Sequence, residues 1–349
     1  MQIEVYDALV HYKFSINRRF SVITGDSGIG KSVFYTMIED YNRNGSYAGI
    51  TIAVPKGYHL ITSTEESWQR DMSSLKSAVI VLDEFDAVCS DNFCTMYKNL
   101  AVQNNLWFIV MTRIEKPKYD RYKRLSYSVN ALYTVATIDN VHYNVPLYNE
   151  ILTKYKSQSF SFDAVLVEDT KAGYEFFRRL FYRYNVRNAE SGKSNIVSVL
   201  KEMEKAGCLK VLLFVDLASY GCHMNELKSF IYYSNMTVYI IDFYECFEYL
   251  LLTTNLLNYK DEVIKEFNNI EYFANQSYSW EKYFEELLKR VTDGKRYKQG
   301  HGGKLNPCYY KDCSCCGPYI MEKCDSVLQG TKFIELLRKT PFEFLLKYV

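Results

Sequence analysis

Apolar residues along this chain fall into two kinds of run. In IEVYDALVHYKFSI they alternate with polar ones, the period of a half-buried strand, and the segment predicts a short hairpin that feeds FSVITG. FSVITG, AVIVLDEFD (Ala78–Asp86) and LWFIVMTR are instead short continuous apolar runs, the pattern of strands covered on both faces. Around them the spacing predicts a helix from Lys31 to about Asn42, a turn at Asn44–Gly45, a strand at GITIAVP, and a polar, Ser/Thr-rich connection from His59 to about Ser77. SYSVNALYTVATIDNVHYNVPLY alternates about Asp139–Asn140 and predicts a β-hairpin.

Around Tyr155–Ser161 a polar linker restarts the pattern. FDAVLVED predicts a strand ending at Glu168 and Asp169, and GYEFFRRLFYRYN a helix. SGKSNIVSVLKEMEKAG follows a loop, KVLLFVDLASYG predicts a buried strand, and TVYIIDFYE a strand running into CFEYLLL. This βαβ alternation with acids at successive strand ends predicts a second parallel sheet. From Lys260 onward, DEVIKEFNNIEYFA, SWEKYFEELLKRV and TKFIELLRK have the spacing of amphipathic helices.

Phe20–Ser32, FSVITGDSGIGKS, fits G-x-x-x-x-G-K-[ST] through Gly25, Gly30, Lys31 and Ser32. A buried strand aims the loop, and its glycines let the backbone N–H groups of Gly25, Asp26, Ser27, Gly28, Ile29 and Gly30 close round phosphate oxygens. Lys31 is then the residue that neutralises the β/γ-phosphates, Ser32 a Mg²⁺ ligand, and the following helix points its positive end at the same anion. ATP and Mg²⁺ are the implied ligands.

AVIVLDEFD ends five apolar residues in adjacent carboxylates, Asp83 and Glu84, as at the C-terminal edge of a parallel strand beside a phosphate loop. This resembles the second signature of P-loop NTPases, in which Asp83 reaches the Mg²⁺ shell and Glu84 orients or deprotonates the attacking water. Adjacent Asp-Glu favours water as nucleophile over the bound acceptor of a P-loop kinase. No ABC-type signature lies between the loop and these acids. In RecA-like NTPases a polar residue at the tip of the neighbouring strand senses the γ-phosphate, so Thr112 and Arg113, which end LWFIVMTR, are candidates. A strand cap or an ion pair with an acid is the alternative for Arg113.

Charge gives no bulk signal: 42 Lys+Arg against 41 Asp+Glu leave a formal net charge of +1 over 349 residues. Any nucleic-acid surface must be local. KPKYDRYKRLSY, Lys116–Tyr127, interleaves cations and rings and suits either backbone contact and base stacking or a solvated loop. MQIEVYDALVHYKF carries Glu4 and Asp7 and has neither a basic nor an apolar leader region, and no run approaches about 18 uncharged apolar residues. The sequence therefore predicts a cytoplasmic protein with no membrane association. Of 10 cysteines, Cys308, Cys313, Cys315, Cys316 and Cys324 crowd together near His301. They number enough for tetrahedral Zn²⁺, but lack paired C-x2-C knuckles, leaving a zinc site, a flexible loop and a redox-sensitive cluster as readings.

SGKS at Ser191–Ser194 is not a second phosphate loop, because Arg187 stands where the first glycine belongs. Instead, an acid after a strand (Glu168), then Gly192, Lys193 and Asn195, then Asp216 with Gly221, then Glu248 before Tyr249 and Leu250, resembles a TOPRIM domain over about Phe160–Leu257. The likeness is to OLD-family nucleases and to anti-phage systems that couple a P-loop ATPase to such a nuclease. It implies Mg²⁺ held by clustered carboxylates, with Glu168 as general acid/base or ligand, Asp216 and Glu248 as ligands, and DNA or RNA as substrate. Where the family has D-x-D this chain has Asp216-Leu217-Ala218, and Asp169 or Asp242 is the compensating candidate; otherwise the domain is a degenerate binding platform.

The expected architecture is α/β: a RecA-like P-loop domain over 1–150, a TOPRIM-like domain over 155–257, and a helical, Cys-rich tail over 258–349. The expected activity is ATP hydrolysis that gates a metal-dependent, nucleic-acid-directed domain, in phage defence or a mobile element by resemblance. The alternative is an ATP-dependent switch whose TOPRIM-like half binds a partner and cleaves nothing. A homo-oligomer or a protein partner fits either.

Overall fold

The computed structural model describes residues 1–113, 128–153, 160–170, 172–255, 261, 265, 280–291 and 337–348. The chain is mixed α/β and divides into two compact units, with the boundary at Asn149/Glu150; Trp280 is counted with the first unit and Glu281 onward with the second.

The first unit is built on a nine-stranded sheet. Its strands are β1 (Gln2–Tyr6), β2 (His11–Ser15), β3 (Phe20–Thr24), β4 (Thr51–Ala53), β5 (His59–Thr62), β6 (Ala78–Asp83), β7 (Leu106–Thr112), β8 (Leu132–Ile138) and β9 (Val141–Pro146), in the order β4-β1-β2-β9-β8-β3-β7-β6-β5. From β8 to β5 every pairing is parallel. β3 and β7 are buried at every position and β6 at all but its last, as continuous apolar runs require. β1 and β2 bury alternate residues and pair antiparallel, the predicted hairpin. β8 and β9 form the second hairpin, turning at Asp139 (φ 50°) and Asn140 (φ 62°), the left-handed pair that suits the twist of a two-residue loop.

Helix α1 (Lys31–Asn44) covers one face through Phe34, Met37 and Ile38, and runs slightly past the predicted end, with Gly45 as its C-cap. The connection expected from His59 to Ser77 instead contains β5 and the helix α2 (Trp68–Ser74). β5 is an edge strand that fully buries only Leu60, and α2 is anchored by Trp68 and Met72 alone, so neither leaves a periodic apolar signal. A further helix, α3 (Asp91–Gln103), is N-capped by the Ser90 hydroxyl, which accepts the Phe93 N–H at 3.1 Å.

The second unit carries a five-stranded sheet in the order β10-β14-β13-β11-β12. These are β10 (Leu152–Thr153), β11 (Ala164–Val167), β12 (Asn185–Asn188), β13 (Lys210–Phe214) and β14 (Thr237–Ile241), all parallel. Parallel neighbours need crossovers, supplied by α4 (Ala172–Leu180), α5 (Ile196–Lys205) and α6 (Met224–Tyr233), and α7 (Phe247–Thr253) follows the last strand. The helix expected to run to Asn185 stops at Leu180, and polar NVRN forms the edge strand β12 beside β11. The core is aromatic: Phe177 stacks on Phe214 with centroids 3.9 Å apart. Helix α8 (Trp280–Val291), from Glu281 onward, and residues 337–348 add to this unit, with Phe284 against Tyr249 (5.1 Å) and Phe342 against Phe243 (5.0 Å). Among the described residues no helix is long and apolar enough to cross a membrane.

Candidate functional site

In the first unit, parallel pairing brings the predicted chemistry to one sheet edge. β7 lies between β3 and β6, with Thr24 opposite Thr112 and Met111 opposite Asp83. The loop Gly25–Gly30 leaves β3 at that edge and runs straight into α1, with Gly25, Gly28 and Gly30 at φ 149°, 93° and 93°. At two of them a side chain is also sterically barred. A Cβ on Gly25 would strike the Ile29 side chain and lie 3.0 Å from the Thr134 hydroxyl, and one on Gly30 would come 2.8 Å from the Tyr12 hydroxyl.

Lys31 is buried, and its ammonium donates to the Gly25 carbonyl (2.7 Å) and the Asp26 carbonyl (3.0 Å), lying across the loop it follows. Burial lowers its pKa, opposed by the negative charges of Glu84 and Asp83. Burial pushes the Asp83 carboxyl up, Glu84 beside it adds to this, and a hydrogen bond from the Ser32 hydroxyl and the charge of Lys31 oppose it. Ser32, in the first turn of α1, thus acts on the carboxyl of Asp83, which ends a strand far away in sequence. A hydroxyl and a carboxylate so placed, both oxygen donors, fit a hard divalent cation.

Glu84 follows β6 in a left-handed conformation (φ 46°), held by its N–H on the Met111 carbonyl at 2.9 Å. Such backbone is costly for a non-glycine residue, and the Glu84 side chain is exposed. Arg113 sits with its Nε 3.9 Å from Glu84 Oε1. Thr112 is fully buried, its hydroxyl 3.4 Å from the Arg113 carbonyl. The buried Thr24 hydroxyl, opposite it, has no hydrogen-bond partner among the described residues. Asp26, Ser27 and Gly28 form the exposed crown of the loop and Ile29 is half-buried. Tyr12 and Thr134, which touch the two ends of the loop, carry no motif and were not among the expected residues.

In the second unit Glu168, Asp216 and Glu248 gather at the C-terminal edge of the parallel sheet. Glu168 follows β11, its N–H on the Phe214 carbonyl (2.8 Å), and its Oε2 accepts the Asp216 N–H at 2.7 Å. Lys193 reaches into the group: its ammonium donates to the Ser219 hydroxyl and lies 3.5 Å from Glu281 and 3.9 Å from Glu168. Burial raises the Glu168 pKa to about 7, against the pull of Lys193. Burial, then the charge of Glu168, raises Asp216 well above the usual carboxylate range, and burial lifts Glu248, in the first turn of α7, to about 7. Burial opposes charge on Lys193, but Glu168, Glu281 and Asp216 outweigh it and bring its pKa to about 12. It is an ammonium throughout the physiological range.

The donors here are oxygens, as a hard cation prefers, yet they are arranged about an ammonium. Among the described residues no group of three His, Cys, Asp or Glu side chains is placed to hold a metal ion. Neither proposed substitute for the acid replaced by Ala218 stands free: Asp169 accepts the Gly173 N–H at 2.8 Å in the first turn of α4, and Asp242 follows β14 at the same edge. Glu281 was not anticipated, because α8 lies beyond the stretch that resembles a TOPRIM domain. Gly192-Lys193 contributes to this acidic group and to no second phosphate loop. The basic stretch Lys116–Tyr127, His301 and Cys308–Cys324 lie outside the described residues.

Compared with known proteins, the chain matches no family model and no curated protein.

Proposed function

We propose that the first unit, Met1–Asn149, is a RecA-like P-loop ATPase. The observation that carries this is the convergence at one edge of the parallel sheet of the glycine loop, which leaves β3, and Asp83, which ends β6, with β7 between the two strands. This supports reading the glycine loop and the acids after β6 as two halves of one nucleotide site. In this reading the loop N–H groups and Lys31 bind the β- and γ-phosphates, and Ser32 and Asp83 hold Mg²⁺, which supplies neutralising charge. Glu84, exposed just beyond β6, takes the proton of the attacking water. Thr112 or Arg113 contacts the γ-phosphate from the intervening strand. The nucleotide cycle then gates the second unit, which in the TOPRIM-like reading acts on DNA or RNA.

A second reading is favoured by Lys193. An ammonium already placed among Glu168, Glu281 and Ser219 suits a unit that binds a partner and cleaves nothing. One experiment separates the two. ATP turnover, and Mg²⁺- or Mn²⁺-dependent cleavage of plasmid DNA, single-stranded DNA and RNA, are measured with wild type, Lys31→Ala and Glu168→Ala. Turnover lost in Lys31→Ala supports the ATPase; unchanged turnover sinks it. Cleavage lost in Glu168→Ala supports the nuclease, whereas no cleavage with turnover intact leaves the partner-binding switch.

A further inference from the structure

We infer that Tyr12 is a positioning residue for the phosphate loop, clamping its last glycine and so setting where Lys31 and Ser32 stand. This rests on the ATP-binding reading and deepens it. Tyr12 belongs to β2, separated from β3 in the sheet by β9 and β8, yet its hydroxyl donates to the Gly30 carbonyl at 2.8 Å. That carbonyl also accepts the Phe34 N–H at 3.0 Å, the first hydrogen bond of α1, so the phenol acts at the joint where loop becomes helix. The next two residues are the ones assigned to phosphate and metal.

The ring itself is fixed. Tyr12 is 1% exposed, meets Phe34 edge-on at 5.1 Å and Phe14 at 5.7 Å, and stacks on His142 at 4.7 Å and 22°. Phenylalanine would fill the same space, so the hydroxyl is needed for the bond to Gly30 and not for packing. Gly30 is also where a side chain is excluded, since its Cβ would come 2.8 Å from that hydroxyl. At the other end of the loop the Thr134 hydroxyl, on β8, stands 3.0 Å from where a Cβ on Gly25 would lie, so that position too is kept to glycine. β2 thus holds the helix end of a loop whose exposed crown is Asp26–Gly28, while Thr134 of β8 stands beside its other end. A loop so held is preorganised for an anion, and the ordering it would otherwise undergo on binding is reduced.

The test is equilibrium binding of a fluorescent ATP analogue with Mg²⁺ to the full chain, at a temperature well below each variant's unfolding midpoint. The proteins are wild type, Tyr12→Phe, Phe14→Leu and Lys31→Ala. Tyr12→Phe keeps the ring and loses the clamp; its Kd is expected to rise about 3- to 10-fold, the loss of one buried hydrogen bond. Phe14→Leu, at a ring that packs on Phe34 at 4.6 Å without touching the loop, is expected to lower the unfolding midpoint and leave Kd within about twofold. A Tyr12→Phe Kd within about twofold of wild type overturns the clamp, as does a Phe14→Leu Kd raised equally, which would reduce Tyr12 to packing. Wild type that binds no better than Lys31→Ala overturns the ATP reading and the clamp together.

Discussion

Glu168→Gln tests the electrostatics of the acidic group directly. Glu168 is 6% exposed, and burial holds its pKa near 7 against a value of 4.5 in the unfolded chain. Between those two values the folded protein binds a proton that the unfolded chain has released, so stability falls as pH rises from about 4.5 to about 7 and is level above. At about 1.4 kcal/mol per unit of pKa difference, the shift makes wild type roughly 2–3 kcal/mol less stable at pH 8 than at pH 5 on this account alone. The substituted glutamine mimics the protonated acid: its carbonyl can still accept the Asp216 N–H seen at 2.7 Å, and it cannot ionise. Lys193, with its pKa at about 12, stays charged across the range and contributes no slope. Denaturant unfolding of both proteins, in chelator and at pH steps from 5 to 8, is the assay. Glu168→Gln is expected to match wild type near pH 5 and exceed it by roughly 2–3 kcal/mol at pH 8. A difference between the two proteins that does not change with pH, or that favours wild type as pH rises, would refute the reasoning.

Two further outcomes follow from the first unit. Glu84→Gln is expected to bind Mg-ATP as wild type does and to slow phosphate release by about a hundredfold or more, read by paired binding and turnover assays; undiminished turnover removes Glu84 from the mechanism. Asn140→Val places a β-branched residue at φ 62° in the β8–β9 turn and is expected to cost about 1–3 kcal/mol of stability in denaturant unfolding, so a neutral result would mean the turn takes another form.

The central strands were legible because their burial is local information. β3, β6 and β7 are covered on both faces, so nearly every residue is apolar, and each run announces itself without reference to its neighbours. The β8–β9 hairpin was legible for a related reason: Asp139 and Asn140 are residues that tolerate the left-handed backbone a tight turn demands. β5, α2 and β12 left no such mark. Each lies at a sheet edge or is held by one or two anchors, and NVRN gains strand geometry only by pairing with β11.

The order of residues alone dictates which groups can do chemistry: a glycine loop ending in Lys31 and Ser32, acids ending AVIVLDEFD, and acids after the strands of the second half. Which of these meet is set by how the chain folds. Inserting β7 between β3 and β6 sets Thr112 opposite Thr24 and brings Asp83 to the sheet edge where the glycine loop begins. The crossing of α1 over the sheet brings Tyr12 to Gly30, and the packing of α8 brings Glu281 to Lys193. Local periodicity reports how each segment is buried. It carries no record of which strands become neighbours, and the side chains that converge at a sheet edge are chosen by that pairing.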